Sequence, residues 1–90
     1  MYVALYAEDR PGALDIRLAN REAHLAYLEE TGKVVFGGPL LDEEGNMCGS
    51  MAVLEVESLE EAREWAANDP YARAGLFERV SLRPWKRVIG

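Results

Sequence analysis

The segment KVVFGGPLLDEEGNMCGSMAVLEVE, Lys33 to Glu57, decides the fold. Lys33 to Leu41 opens with β-branched and aromatic residues and then meets Gly37, Gly38 and Pro39, which mark an edge position or a bulge. Asp42 to Asn46 supplies turn residues, and Met47 to Glu57 alternates as a second strand. Two strands therefore follow one another through a short loop, with no helix between them. That spacing predicts an antiparallel hairpin at the centre of the chain.

Outward from the hairpin, both flanks read as helices. Leu14, Leu18, Leu25 and Leu28 share one narrow arc of a helical wheel, which predicts an amphipathic helix from Leu14 to about Thr31, stopped by Gly32. On the other side, Ser58-Leu59-Glu60-Glu61 fits a capping box opening a second helix that buries Leu59, Ala62 and Ala66 and ends before Pro70. Tyr2 to Ala7 is too short and too β-prone for a helix, so it reads as a first strand. Leu76 to Ile89 reads as a last strand, with Pro84 at an edge or bulge. The order β-α-β-β-α-β predicts an α+β, ferredoxin-like domain spanning residues 1–90, with a four-stranded antiparallel sheet and two helices on one face.

Composition excludes several classes. The chain has 16 acidic and 10 basic residues and a formal charge of −6, which disfavours a nucleic-acid partner. No aromatic-rich RNP1 sequence supports an RNA-binding version of the fold. One cysteine and one histidine make neither an internal disulfide nor a structural zinc site. No apolar run approaches the roughly 20 residues a membrane span requires, and the N-terminus lacks the basic region of a signal peptide. The expectation is a cytoplasmic protein without metal or cofactor. Cys48, without a basic neighbour in sequence, reads as a small buried hydrophobe.

Two helices cover only one sheet face. Tyr2, Ala4 and Tyr6 on the first strand, Val34 to Phe36 on the second, and Met51 with Val53 on the third leave the other face apolar as well. Such a patch predicts a homodimer packed sheet to sheet, a dimeric α+β barrel.

Few residues carry chemistry. His24 lies roughly 60–80° off the centre of the leucine arc, with Arg17 and Arg21 on the same i, i+4, i+7 ridge. Three donors there suit a carboxylate or enolate oxygen; equally, both arginines extend to solvent and His24 closes the core edge. Asp69 precedes Pro70 and caps a short helical turn, or it orients an imidazole as a general base. Gly37, Gly38 and Pro39, with Gly49 and Ser50, either bring backbone amides and a hydroxyl to a ligand or only bend the strands. Arg79, Arg83, Lys86 and Arg87 form a basic last strand that suits an anionic substrate or paired surface charges. No phosphate-loop, dinucleotide or nucleophile-elbow motif is present.

The motifs REAHL (Arg21 to Leu25), GGPL (Gly37 to Leu40), GS (Gly49-Ser50), NDPY (Asn68 to Tyr71) and AGLFE (Ala74 to Glu78), with the closing SLRPWK, resemble the YciI-like (YCII-related) family over nearly the whole chain. The resemblance implies a dimeric ferredoxin-like fold and a pocket centred on a histidine and an aspartate, here His24 and Asp69. Ser50 and the Gly38-Pro39 turn match positions that line that pocket; Arg17, Arg21 and Tyr71 complete the expected substrate-binding set. Some relatives are dehydrochlorinases of chlorinated hydroxyquinone-type aromatics. The expected function is cofactor-independent general acid–base chemistry, of lyase, isomerase or dehydrochlorinase type, on a small anionic or cyclic metabolite. The alternative is a non-catalytic binding or stress-associated module using the same pocket.

Overall fold

The computed structural model describes every residue from Met1 to Gly90. Its elements are β1 (Tyr2–Asp9), α1 (Leu14–Thr31), β2 (Val34–Leu41), β3 (Met47–Glu55), α2 (Leu59–Ala67), α3 (Pro70–Arg73) and β4 (Phe77–Trp85). The four strands form one antiparallel sheet in the order β2-β3-β1-β4, the ferredoxin-like arrangement. β1 sits centrally, with Val3 opposite Leu54 and Leu5 opposite Ala52 on β3, and Leu5 opposite Leu82 on β4. Val3, Leu5, Ala7, Ala52 and Leu54 form the core with Val56, Ala62 and Trp65, beneath the helices.

The expected barrel is not what the chain builds. β2 and β4 remain unpaired edges, so the sheet is open. The face away from the helices is partly covered by the chain itself. β4 ends at Trp85 rather than near Ile89, and the tail folds back across that face. The Arg87 guanidinium lies 5.7 Å from the Tyr2 ring centre and 5.6 Å from that of Phe36. Trp85 packs against the same two rings, and Val53 is buried on this face.

Local signals place the helix ends. Gly32 adopts φ 61°, the left-handed conformation that favours glycine, and its N–H donates to the Leu28 carbonyl. Ser58 Oγ accepts from the Glu61 N–H at 3.1 Å, as a capping box requires. The return bond is displaced by one residue, because the Glu61 carboxylate accepts from the Glu57 N–H rather than from Ser58.

α1 turns an unexpected flank toward the sheet. Leu18 and Leu25 are 53% and 45% exposed, whereas Arg17 is 2% exposed. The helix is rotated so that Arg17, His24, Tyr27 and Leu28 face inward, and two polar contacts described below hold it there.

Candidate active site

Arg17 reaches from the second turn of α1 to the end of β1. Its Nε donates to Asp9 Oδ2 at 2.7 Å and its Nη2 donates to Asp9 Oδ1 at 2.8 Å, a bidentate pair. Nη2 also donates to Ser50 Oγ on β3 at 2.9 Å. These bonds use three of the five guanidinium N–H groups and leave the two on Nη1. Burial works against the charge, but the hydrogen bonds and charge of Asp9 outweigh it and hold the Arg17 pKa above its ordinary value.

Two turns further along α1, His24 Nδ1 lies 2.8 Å from Asp69 Oδ1. The same oxygen accepts the Tyr71 N–H at 2.9 Å, so Asp69 caps α3 while holding the imidazole. An ionised carboxylate only accepts, so the hydrogen of this bond sits on Nδ1. In the neutral ring Nε2 then carries the lone pair, and it makes no hydrogen bond within the protein. The His24 side chain is 14% exposed, and that of Asp69 is nearly buried. Tyr71 stacks on His24 with ring centres 3.9 Å apart and planes 13° from parallel. Burial pushes the Tyr71 phenol up in pKa, against the pull of the Arg17 and Arg21 charges.

These groups line a cavity of about 120 Å³ between α1 and the helix-facing side of the sheet. Leu5, Ala52, Ser50, Gly37 and Pro39 form its floor; Leu25, Leu28, Trp65 and Phe77 supply apolar walls. Gly37 packs so tightly on β3 that a Cβ there would lie 2.9 Å from the Cβ of Ala52. An apolar cavity of about 150 Å³ holds benzene, so the space is of the order of a single small ring. A wider depression of about 340 Å³ beyond Asp9, lined by Arg10, Asp42 and Cys48, contains no imidazole. No group of three or more His, Cys, Asp or Glu side chains gathers into a metal-binding set.

The cavity brings together His24, Asp69, Arg17, Arg21, Gly38, Pro39, Ser50 and Tyr71. Arg21 is exposed at its margin and joins no salt bridge. Several expectations change. Arg17 does not extend to solvent. Cys48 is exposed rather than buried. The basic last strand lies away from the cavity: Arg79 pairs with Glu8 at 3.5 Å, Arg83 stands opposite Ala4, and Arg87 covers the other face. Sequence reasoning missed Asp9: it ended the first strand at Ala7, whereas β1 runs on to Asp9. An acidic residue closing a strand shortly before an arginine on the neighbouring helix was the available signal.

An open ferredoxin-like sheet with a buried His–Asp pair and an Asp-anchored arginine at one cavity defines a small enzyme-like protein equipped for acid–base chemistry. Residues 1–86 match the YCII-related domain, and the chain belongs to that family. It is 39% identical to Protein YciI of Escherichia coli O6:H1, over 99% of this chain and 100% of the relative. It also resembles the structure of 5-chloro-2-hydroxyhydroquinone dehydrochlorinase from Burkholderia phenoliruptrix AC1100, in complex with 2,5-dihydroxybenzoquinone. That match has a TM-score of 0.89 and 39% identity, over 98% of this chain and 96% of the other. An antibiotic biosynthesis monooxygenase, at a TM-score of 0.60 and 12% identity, shares the fold.

Asp9→Asn leaves the Arg17 guanidinium buried without its counter-charge. The expected loss is about 3–5 kcal/mol of stability, read from the urea midpoint. A loss below about 1 kcal/mol, typical of an exposed pair, would show that Asp9 does not anchor α1.

Proposed function

We propose that the cavity is the active site of a small cytoplasmic enzyme that performs cofactor-independent general acid–base chemistry on a small anionic or cyclic metabolite. The observation that carries this reading is the 2.8 Å contact of His24 Nδ1 with Asp69, which leaves Nε2 uncommitted on a residue lining the cavity. His24 takes a proton from the substrate and returns it, Asp69 holds the imidazole in one tautomer, and the substrate's developing oxyanion lies against Arg17 and Ser50. Asp9 fixes the guanidinium before substrate arrives, so its placement costs little during reaction. Arg21, at the cavity margin without a salt-bridge partner, draws the anion, and the Gly38-Pro39 backbone bounds the site. A positioned proton-transfer group contributes about 10²–10⁴-fold.

The likeness to a dehydrochlorinase supports loss of HCl as the first reaction to test. A hydroxyl proton taken by the base returns to the chlorine-bearing ring carbon; chloride then leaves with its bonding pair as a second hydroxyl loses its proton, so the net change is loss of HCl to a hydroxybenzoquinone and no external oxidant is needed. With 5-chloro-2-hydroxyhydroquinone as probe, chloride release is the readout. His24→Ala should lower kcat by about 10²–10⁴-fold with the circular dichroism spectrum retained, and Asp69→Asn should lower it as well. Full turnover in a folded His24→Ala variant, or tight binding of the probe with no chloride released, would overturn the enzymatic reading.

A second copy of the chain is the partner this reading carries, seated on the sheet face away from the helices. Tyr6, Phe36, Met51 and Trp85 remain exposed there as a large apolar patch. Light scattering at micromolar concentration should give twice the mass of one chain, and a monomer mass would contradict it.

A further inference from the structure

Tyr71 stands between the two halves of the site. Its ring stacks on the His24 imidazole at 3.9 Å, and the Arg17 guanidinium carbon lies 4.7 Å from the same ring centre. Arg17 and His24 leave α1 seven residues apart, about 10.5 Å along the helix axis at 1.5 Å per residue, which is room for one aromatic ring between their flat ends. The ring is itself held. It is 1% exposed, and Phe77 meets it edge-on at 6.0 Å. Its backbone N–H is bonded to the Asp69 oxygen that holds His24, so ring and carboxylate belong to one short helical turn.

The Asp69 bond fixes one nitrogen of the imidazole but not the plane of the ring, which can still swing about that contact. A parallel aromatic neighbour removes this freedom, since stacking adds to what the buried area of the pair contributes. We infer that Tyr71 is a positioning residue: its ring sets the plane of the His24 imidazole and the spacing between that imidazole and the Arg17 guanidinium. The flat face of the ring is what meets the imidazole, so phenylalanine can replace it there and an aliphatic side chain cannot. The consequence for rate rests on His24 being the proton-transfer group, whereas the consequence for imidazole geometry does not.

The test is proton NMR of the full chain, in which His24 is the only histidine and its ring resonances are unambiguous. In the wild-type protein the His24 Cδ2 and Cε1 protons should be shifted upfield by the tyrosine ring. Tyr71→Phe should retain the shift. Tyr71→Leu, or Tyr71→Met if the leucine variant fails to fold, should lose it. In the chloride-release assay the aliphatic variant should lower kcat by about ten- to hundredfold, with a smaller change in KM, and Tyr71→Phe should restore most of the loss. Wild-type His24 protons at free-histidine positions would overturn the inference. So would an aliphatic variant that keeps both the shift and kcat. If His24→Ala retains turnover while the shifts behave as expected, the acid–base reading fails and the positioning role stands.

Discussion

The bidentate pair between Asp9 and Arg17 determines which flank of α1 faces the sheet, and the rest of the site depends on that rotation. A buried charge pair pays a desolvation cost that its mutual attraction only partly recovers, while breaking it leaves a buried charge unpaired. Burying Arg17 in place of Leu18 and Leu25 is therefore not the arrangement that apolar burial alone selects. With the pair in place, His24, on the same ridge two turns on, points into the protein toward Asp69. The small residues Gly37, Ala52 and Ser50 lie opposite it on the sheet. No large side chain fills the gap between helix and strands, and the gap is the cavity.

A second economy lies in Asp69. One oxygen accepts the N–H that starts α3 and the Nδ1–H of His24, so a local capping interaction and a contact 45 residues apart in sequence share an atom. Local structure and site geometry are thereby coupled. Any motion that frays α3 also releases the imidazole, and with it the stacked Tyr71 ring.

Most of the fold was legible in the sequence because its signals are local. The glycine stop at Gly32, the cap at Ser58, and the turn between Leu41 and Met47 each act over a few residues, and the structure follows them. The errors arise where a residue's neighbour is distant in sequence. The leucine arc of α1 was read as its core face because periodicity registers apolar spacing and cannot register an aspartate on β1. The barrel was inferred from apolar patterning on both sheet faces, but patterning does not show that Trp85 and Arg87 pack over part of the open face. At the site, His24 and Asp69 stood out by residue type and motif. Asp9 lay beyond the expected end of the first strand, Arg17 was recognised without its burial, and the basic last strand drew attention to the wrong side of the sheet. The departures from simple patterning gather at the cavity, where functional demands compete with stability.

In the proposed site a ligand enters between α1 and the sheet and meets His24 Nε2 on one side and the Arg17–Ser50 pair on the other. A crystal structure with 2,5-dihydroxybenzoquinone tests it most directly. One oxygen of the ring should lie within hydrogen-bond distance of His24 Nε2 and another at Arg17 or Ser50, with the Asp9–Arg17 and His24–Asp69 bonds unchanged. A ring bound outside this cavity, or bound within it with His24 Nε2 turned away, would contradict it.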